Sequence, residues 1–242
     1  MKRGAIGILA VVVVVALGAI GSYLYFFSGL RSAPKPLALA SPTASSDSPS
    51  AAASSNGTIA GSWTVGQGSL AGYRVKEQFV GQSSPHEAVA RTSGVSGGLT
   101  VQSSSGALQA TGISFTAQVS GLQSVDQVAG YNVSQRDRFV SRSLDVQQFP
   151  DATFKAASVS VPATAASGQE VSVTVPGQLT IHGVTKDATA TLKARLNGSQ
   201  LDLAGSAPAT MTDFGITPPQ VPFTTSESTV TIEFTLVLNK AA

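Results

Sequence analysis

The sequence predicts an all-β domain, an eight-stranded antiparallel barrel with one short capping helix, preceded by an N-terminal transmembrane helix. Three observations carry that prediction. Apolar and polar residues alternate with period two from Trp63 almost to the C-terminus, a single segment between Ser124 and Val140 switches to helical spacing, and the chain begins with a long uncharged apolar run. The composition agrees, since Gly, Ser, Thr, Ala and Val dominate and only 12% of the 242 residues are charged, as in a sheet-rich domain with many tight turns.

The first element is Gly4 to Phe27, a stretch of 24 residues without a charge. At about 1.5 Å per residue it spans a bilayer of roughly 30 Å as a helix. Tyr23, Tyr25, Phe26 and Phe27 gather at its far end, where aromatic rings favour the membrane interface. Lys2 and Arg3 precede it and Arg31 and Lys35 follow it, so the basic residues do not set the orientation; an inside N-terminus is taken from the usual behaviour of a leading apolar segment. Residues 1–27 are therefore read as a signal anchor, with the C-terminal domain outside the cytoplasm at the cell membrane. The rival is a cleaved signal peptide and secretion, but the A-x-A pattern Ala38-Leu39-Ala40 lies far beyond the apolar run.

Residues 28–60 are rich in Ser, Ala and Pro and are expected to form a disordered tether, because such a segment buries too little surface to offset its ordering entropy. Residues 61–242 are long enough for one domain with a full core.

Within that domain the strands follow in order. Tyr73, Val75 and Phe79 share one face of the first, Leu70 to Phe79; Leu99 to Val101 makes a short second; Ile113, Phe115, Ala117 and Val119 alternate with polar partners in the third. Thr153 to Val161, Val171 to Ile181, Ala188 to Leu196, Leu201 to Leu203 and Val230 to Leu238 complete about eight. Ser103 to Gly106, Ala166 to Gly168, His182-Gly183 and Asn197-Gly198 separate them with turn residues that suit hairpins. Closing the sheet removes its exposed edges, which favours a barrel over a sandwich. Between the third and fourth strands Val128, Tyr131, Gln135 and Phe139 recur at helical spacing, with Ser124 or Asp126 as the expected N-cap and Pro150 as the terminator. His86 is placed in a loop beside Pro85.

The totals also exclude. There is no cysteine, the formal charge is +2, and Lys and Arg are scattered, which argues against thiol chemistry and against nucleic acid as a partner. With His86 and His182 the sole imidazoles, neither a Ser–His nucleophile nor a metal site is expected, nor any cofactor, and the chain is read as a binding protein rather than an enzyme. Asp213-Phe214-Gly215 spells a kinase motif without the rest of a kinase. Glu77 shares parity with Tyr73 and Val75, so it is expected to point inward, paired with an Arg or near the barrel mouth.

The densest concentration of charge and aromatic residues is Arg136 to Phe154. Arg136-Asp137, Ser143-Leu144-Asp145-Val146, Phe149-Pro150, Ala152-Thr153-Phe154 and then Gly177 to Lys186 (GQLTIHGVTK), with Asp213 to Ile216 later, together resemble the YceI-like family of polyisoprenoid-binding, lipocalin-like proteins. The likeness runs from about Trp63 to Lys240. It departs where Phe139 stands in the Arg-Asp helix and Gly68-Ser69 open the first strand, positions at which the family often carries His. The resemblance implies a lipocalin-like eight-stranded barrel whose long apolar cavity takes an isoprenoid chain such as a quinone or polyprenyl lipid. The chain would then lie among Tyr73, Val75, Phe79, Ile113, Phe115 and Val128, and further among Phe139, Phe154, Phe214 and Phe234, with Arg136 or Arg138 near a polar headgroup. Thr217 to Ser228 is either a lid over the mouth or a plain surface loop. A filled barrel serving envelope stress or protein interaction, a lipid-modifying enzyme, and a homodimeric assembly stay open as alternatives.

Overall fold

The computed structural model describes residues 31–40, 58–80, 85–128, 132–221 and 224–241. The expected membrane span and residues 28–30 and 41–57 of the tether lie outside the described residues. Among those described, no helix is long and apolar enough to cross a membrane.

Eight strands form the barrel. β1 comprises two runs, Gly61–Val65 and Leu70–Phe79, and β2 two more, His86–Thr92 and Val95–Ser104; they are followed by β3 (Ala107–Gln118), β4 (Asp151–Val161), β5 (Val171–Ile181), β6 (Val184–Asn197), β7 (Gln200–Thr210) and β8 (Thr229–Lys240). Gly61 faces Val101 and Ala71 faces Thr92, so the β1–β2 hairpin keeps its pairing through both breaks with a slip of one residue. Each strand pairs antiparallel with the next, and β8 returns to pair with both β7 and β1, which closes the barrel. Eleven residues at about 3.3 Å each, tilted by roughly 40°, make it about 28 Å tall.

The alternation works as expected: Val171, Val173 and Val175 are buried while Ser172 and Thr174 are exposed. Ser105-Gly106 and His182-Gly183 both take positive φ at the two central positions, the two-residue turn whose twist matches the flanking strands. The β4–β5 ladder is short, holding only Thr153 to Lys155 against Gln178 to Thr180. Beside it, a Cβ on Gly177 would lie 2.5 Å from the Lys155 carbonyl oxygen, so glycine permits the two strands to meet there.

Three expectations are corrected. His86 lies in β2 and not in a loop. Ala88, Val89 and Ala90 are all buried, which erases the alternation: Ala88 and Ala90 face Val75 and Tyr73 across the ladder, whereas Val89 faces Arg74 under a covered outer surface. The helix, α1 (Ser134–Ser143), is capped by neither Ser124 nor Asp126; Asn132 Oδ1 accepts from the Ser134 amide and hydroxyl instead. It ends seven residues before Pro150, where Asp145 adopts φ 43° and the Leu144 amide still donates to Val140 O.

The third concerns the tether, of which residues 31–40 form a strap along the outside of the barrel. Arg31–Ser32 pairs with Gln127–Val128. Arg74 Nη2 then donates to Pro34 O (2.5 Å), Arg91 Nη2 to Lys35 O (2.7 Å), the Leu37 amide to Glu233 Oε2 (3.2 Å), and Arg195 Nη2 to Ala40 O (2.6 Å). Beneath it Glu233 binds Arg74 at 2.6 Å and Arg91 at 2.9 Å, and Arg74 also binds Glu87 at 2.6 Å. Glu233 lies on the outer face between inward Ile232 and Phe234, yet it is only 2% exposed, because the strap covers it.

Candidate functional site

The barrel encloses two adjoining apolar lobes that share Ala71, Ala117, Ala152, Leu179 and Ile232 at the waist between them. The two lobes are similar in volume, about 170 and 150 Å³. The deep lobe is walled by strand residues such as Val101, Val173 and Leu203 and is stoppered by Trp63 and Leu238, 1% and 0% exposed. Trp63 Nε1 donates to Ile59 O at 2.9 Å, which satisfies the indole while its ring fills the barrel floor.

The outer lobe ends under α1, where Phe139, Val140 and Leu144 form part of its wall. Its remaining cover comes from Phe214, Ile216 and the hairpin of Gln220–Val221 with Thr224–Ser226, which pairs with the end of β1. Thr217 to Ser228 is thus more than a surface loop, since Pro219, Thr224 and Ser226 line the mouth. His182, in the β5–β6 turn, makes a hydrogen bond with Phe214 O at 3.1 Å and packs edge-to-face on Phe149 at 5.0 Å, which holds Phe214 against the lobe.

The charged groups that line the lobes, Glu77 and Arg136, are at this one end. Glu77 points inward, as its parity requires, and meets Arg136 from α1: Nε donates to Oε1 at 3.0 Å and Nη2 to Oε2 at 2.9 Å. Arg136 Nη1 donates to Asp126 Oδ1 (2.7 Å) and Ser124 Oγ (3.2 Å), while Asp126 Oδ2 pairs with His86 Nε2 at 2.7 Å and Oδ1 accepts the Val89 amide. Burial pushes the Glu77 carboxyl up, and Arg136 offsets this only in part. For Asp126 burial acts upward too, but hydrogen bonds from His86 and Arg136 and the guanidinium charge outweigh it and hold the carboxyl down. Arg136 is held more firmly protonated than usual, the Glu77 and Asp126 charges overcoming its desolvation. The Tyr73 hydroxyl, raised by burial above its usual range, stays neutral; it faces the outer lobe and has no hydrogen-bond partner among the described residues.

Of the residues singled out from sequence, Tyr73, Val75, Arg136, Phe139 and Phe214 line the outer lobe and Ile113, Phe115, Phe154 and Phe234 the deep one. Phe79 and Val128 do not. Phe79 packs edge-to-face on His86 beyond the cavity rim, and Val128 is buried beside Arg31 where the strap begins. Arg138 is exposed and outside the cavity, and the Arg136 guanidinium is engaged through Nε, Nη1 and Nη2 within the network. Sequence parity missed Asp126 and His86, because Asp126 reaches Arg136 from a loop and His86 reaches Asp126 from a strand without alternation. Two carboxylates share the one guanidinium, and Ser124, the network's one hydroxyl, donates to Asp137 Oδ1 at 2.7 Å rather than to His86.

A family model described as the YceI-like domain matches residues 69–238. UPF0312 proteins of Pseudomonas putida strains F1 and KT2440 are 33% identical to the chain over 112 residues, 42% of this chain and 54% of theirs. The chain therefore spans about half the length of the curated relatives it matches. Similar solved structures include a polyisoprenoid binding domain from Saccharophagus degradans implicated in plant cell wall breakdown (TM-score 0.49, 16% identity, 75% of this chain and 99% of that one) and BcnA of Burkholderia cenocepacia (TM-score 0.44, 21% identity, 68% and 95%).

Proposed function

Because the chain belongs to the YceI-like family, we propose that it is a binding protein for an isoprenoid or similar amphiphilic lipid, tethered to the outer side of the cell membrane and carrying out no covalent chemistry. The observation that supports this most is the pair of adjoining apolar lobes with charged groups at one end. A long hydrocarbon chain gains about 0.8 kcal/mol per buried methylene, so lobes of this character suffice for tight capture without any specific polar contact. The tail would pass the waist at Ala117 and Ala152 into the deep lobe.

At the mouth, the free Tyr73 hydroxyl offers a hydrogen bond to a quinone carbonyl or a polyprenyl phosphate, while Arg136 stays bound to Glu77 and Asp126 and orders the rim. The role is then carriage, storage or sequestration of the lipid at the membrane. Native mass spectrometry of the full-length protein, released from membranes in mild detergent, is expected to show one lipid per barrel. A barrel that emerges empty and then takes up neither a quinone nor a polyprenol from vesicles would overturn the reading.

A further inference from the structure

The strap fixes which end of the barrel lies nearest the start of the chain. Arg31–Ser32 pairs with Gln127–Val128, two residues from Asp126, and Asp126 is bound by Arg136 of α1. From there the strap climbs past Arg74, Arg91 and Glu233 to Arg195, close to the far end of β6 at Asn197. The apolar run closes at Phe27, four residues before Arg31, and four residues reach at most about 14 Å. A free coil of residues 28–60 would instead allow roughly 32 Å.

A second, independent observation marks the same end. Among the described residues the exposed large hydrophobic side chains are Val80 (75%), Val125 (44%) and Phe139 (38%). Singly exposed apolar residues need no explanation, but these are not scattered. Val80 follows the end of β1 beyond Glu77, Val125 adjoins Asp126, and Phe139 is one helical turn from Arg136. Arg138 and Arg142 stand exposed beside Phe139 without an ion-pair partner among the described residues, and the Arg142 guanidinium lies 5.1 Å from the Phe139 ring centre. Exposed aliphatic and aromatic side chains together with two arginines that have no ion-pair partner among the described residues match the acyl–headgroup boundary of an anionic bilayer. The far end presents polar turns, Ser103 to Gly106 and Gly198-Ser199.

We infer that the α1 end of the barrel docks on the bilayer surface and that residues 31–40 are the fastening that keeps it there, so that the cavity mouth opens into lipid. The partner surface is the membrane itself. This rests on the membrane-tethered reading above, and goes beyond it by naming the face that docks and the segment that orients it. The described part of the linker is a clamp, and residues 41–57 bridge Ala40 and Thr58 near the barrel's far end, where Arg195 and Lys240 hold those two carbonyls.

The absence of cysteine makes a direct test simple. Single-cysteine variants Val80→Cys and Val125→Cys at the α1 end, and Ser104→Cys and Ser199→Cys at the other, are labelled with a fluorophore in the full-length protein. Each is reconstituted into vesicles of phosphatidylcholine and phosphatidylglycerol containing headgroup-region nitroxide lipid. Quenching at positions 80 and 125 should exceed that at 104 and 199 by threefold or more. Replacing residues 33–40 with Gly and Ser at unchanged length should reduce it to the level of the far end. Equal quenching at both ends, or a pattern indifferent to the strap, overturns the inference. Flotation separates the failures: a full-length chain that does not float with vesicles overturns the tether as well, whereas one that floats and carries lipid but is quenched equally at both ends overturns the docking alone.

Discussion

Arg136 grips Glu77 through two parallel hydrogen bonds of 3.0 and 2.9 Å, side by side, in a setting where Glu77 is 5% and Arg136 7% exposed. Removing one partner of a buried pair leaves the other's charge uncompensated. Arg136→Ala strands both Glu77 and Asp126, and about 3–5 kcal/mol of stability should be lost in urea denaturation. Arg136→Lys keeps the charge without the fork and should fall between. A loss below about 1 kcal/mol for the alanine variant would mean that the network is not holding α1 to the barrel.

The two carboxylates of this network should make opposite contributions to the pH dependence of stability. Asp126 is held below its usual 3.8, so as pH falls the unfolded chain takes up the proton first; its contribution is complete above 3.8 and is lost as pH drops through the folded value. Glu77 is raised above its usual 4.5, so the folded protein takes up the proton first; its contribution is present below 4.5 and declines as pH rises through the folded value. In urea midpoints measured across this range, Asp126→Asn should flatten the acid limb and Glu77→Gln the decline above it. Curves parallel to that of the unmodified protein would refute both assignments.

Ala117 and Ala152 face each other directly across β3 and β4 at the waist of the cavity. Ala152→Phe should plug the waist and exclude the tail from the deep lobe. Losing four buried methylenes at about 0.8 kcal/mol each weakens binding by about a hundredfold or more. Titration with a fluorescent polyprenyl analogue reads this, with far-UV circular dichroism confirming the fold. Undiminished affinity for a long chain would show that the deep lobe is not used.

Tyr73→Phe removes one hydroxyl and nothing else from the outer lobe. A net hydrogen bond is worth roughly 0.5–1.5 kcal/mol, so affinity for a carbonyl- or phosphate-bearing isoprenoid should drop about two- to tenfold while that for a bare hydrocarbon is unchanged. Equal effects on both ligands would remove Tyr73 from headgroup contact.

Much of this was legible in the chain. Val230, Ile232, Phe234, Leu236 and Leu238 declared one face of β8 by parity alone, and Glu77 was placed inward by the same count. What stayed hidden depends on neighbours remote in sequence. β2 near Ala88 to Ala90 is covered on both faces and shows no period. Residues 33–40 carry two prolines and form no helix or strand, and they are ordered by Arg74, Arg91, Arg195 and Glu233, charges 40 to 196 positions away whose purpose is invisible until the strands that carry them adjoin.

The barrel closes where Ala71 of β1 meets Phe234 of β8, a contact between residues 163 positions apart. Hairpins such as β5–β6 can form from adjacent sequence, but this seam needs the whole domain, and a high mean contact separation slows folding to the millisecond-to-second range common for closed sheets. During synthesis the free edge of β1 must therefore wait for residue 240. The strap precedes β1 in the chain and makes contacts on both sides of the seam, with Arg74 on one strand and Glu233 on the other. Its loss should accordingly accelerate unfolding by freeing the last strand to peel, with little change in the rate at which the early hairpins assemble.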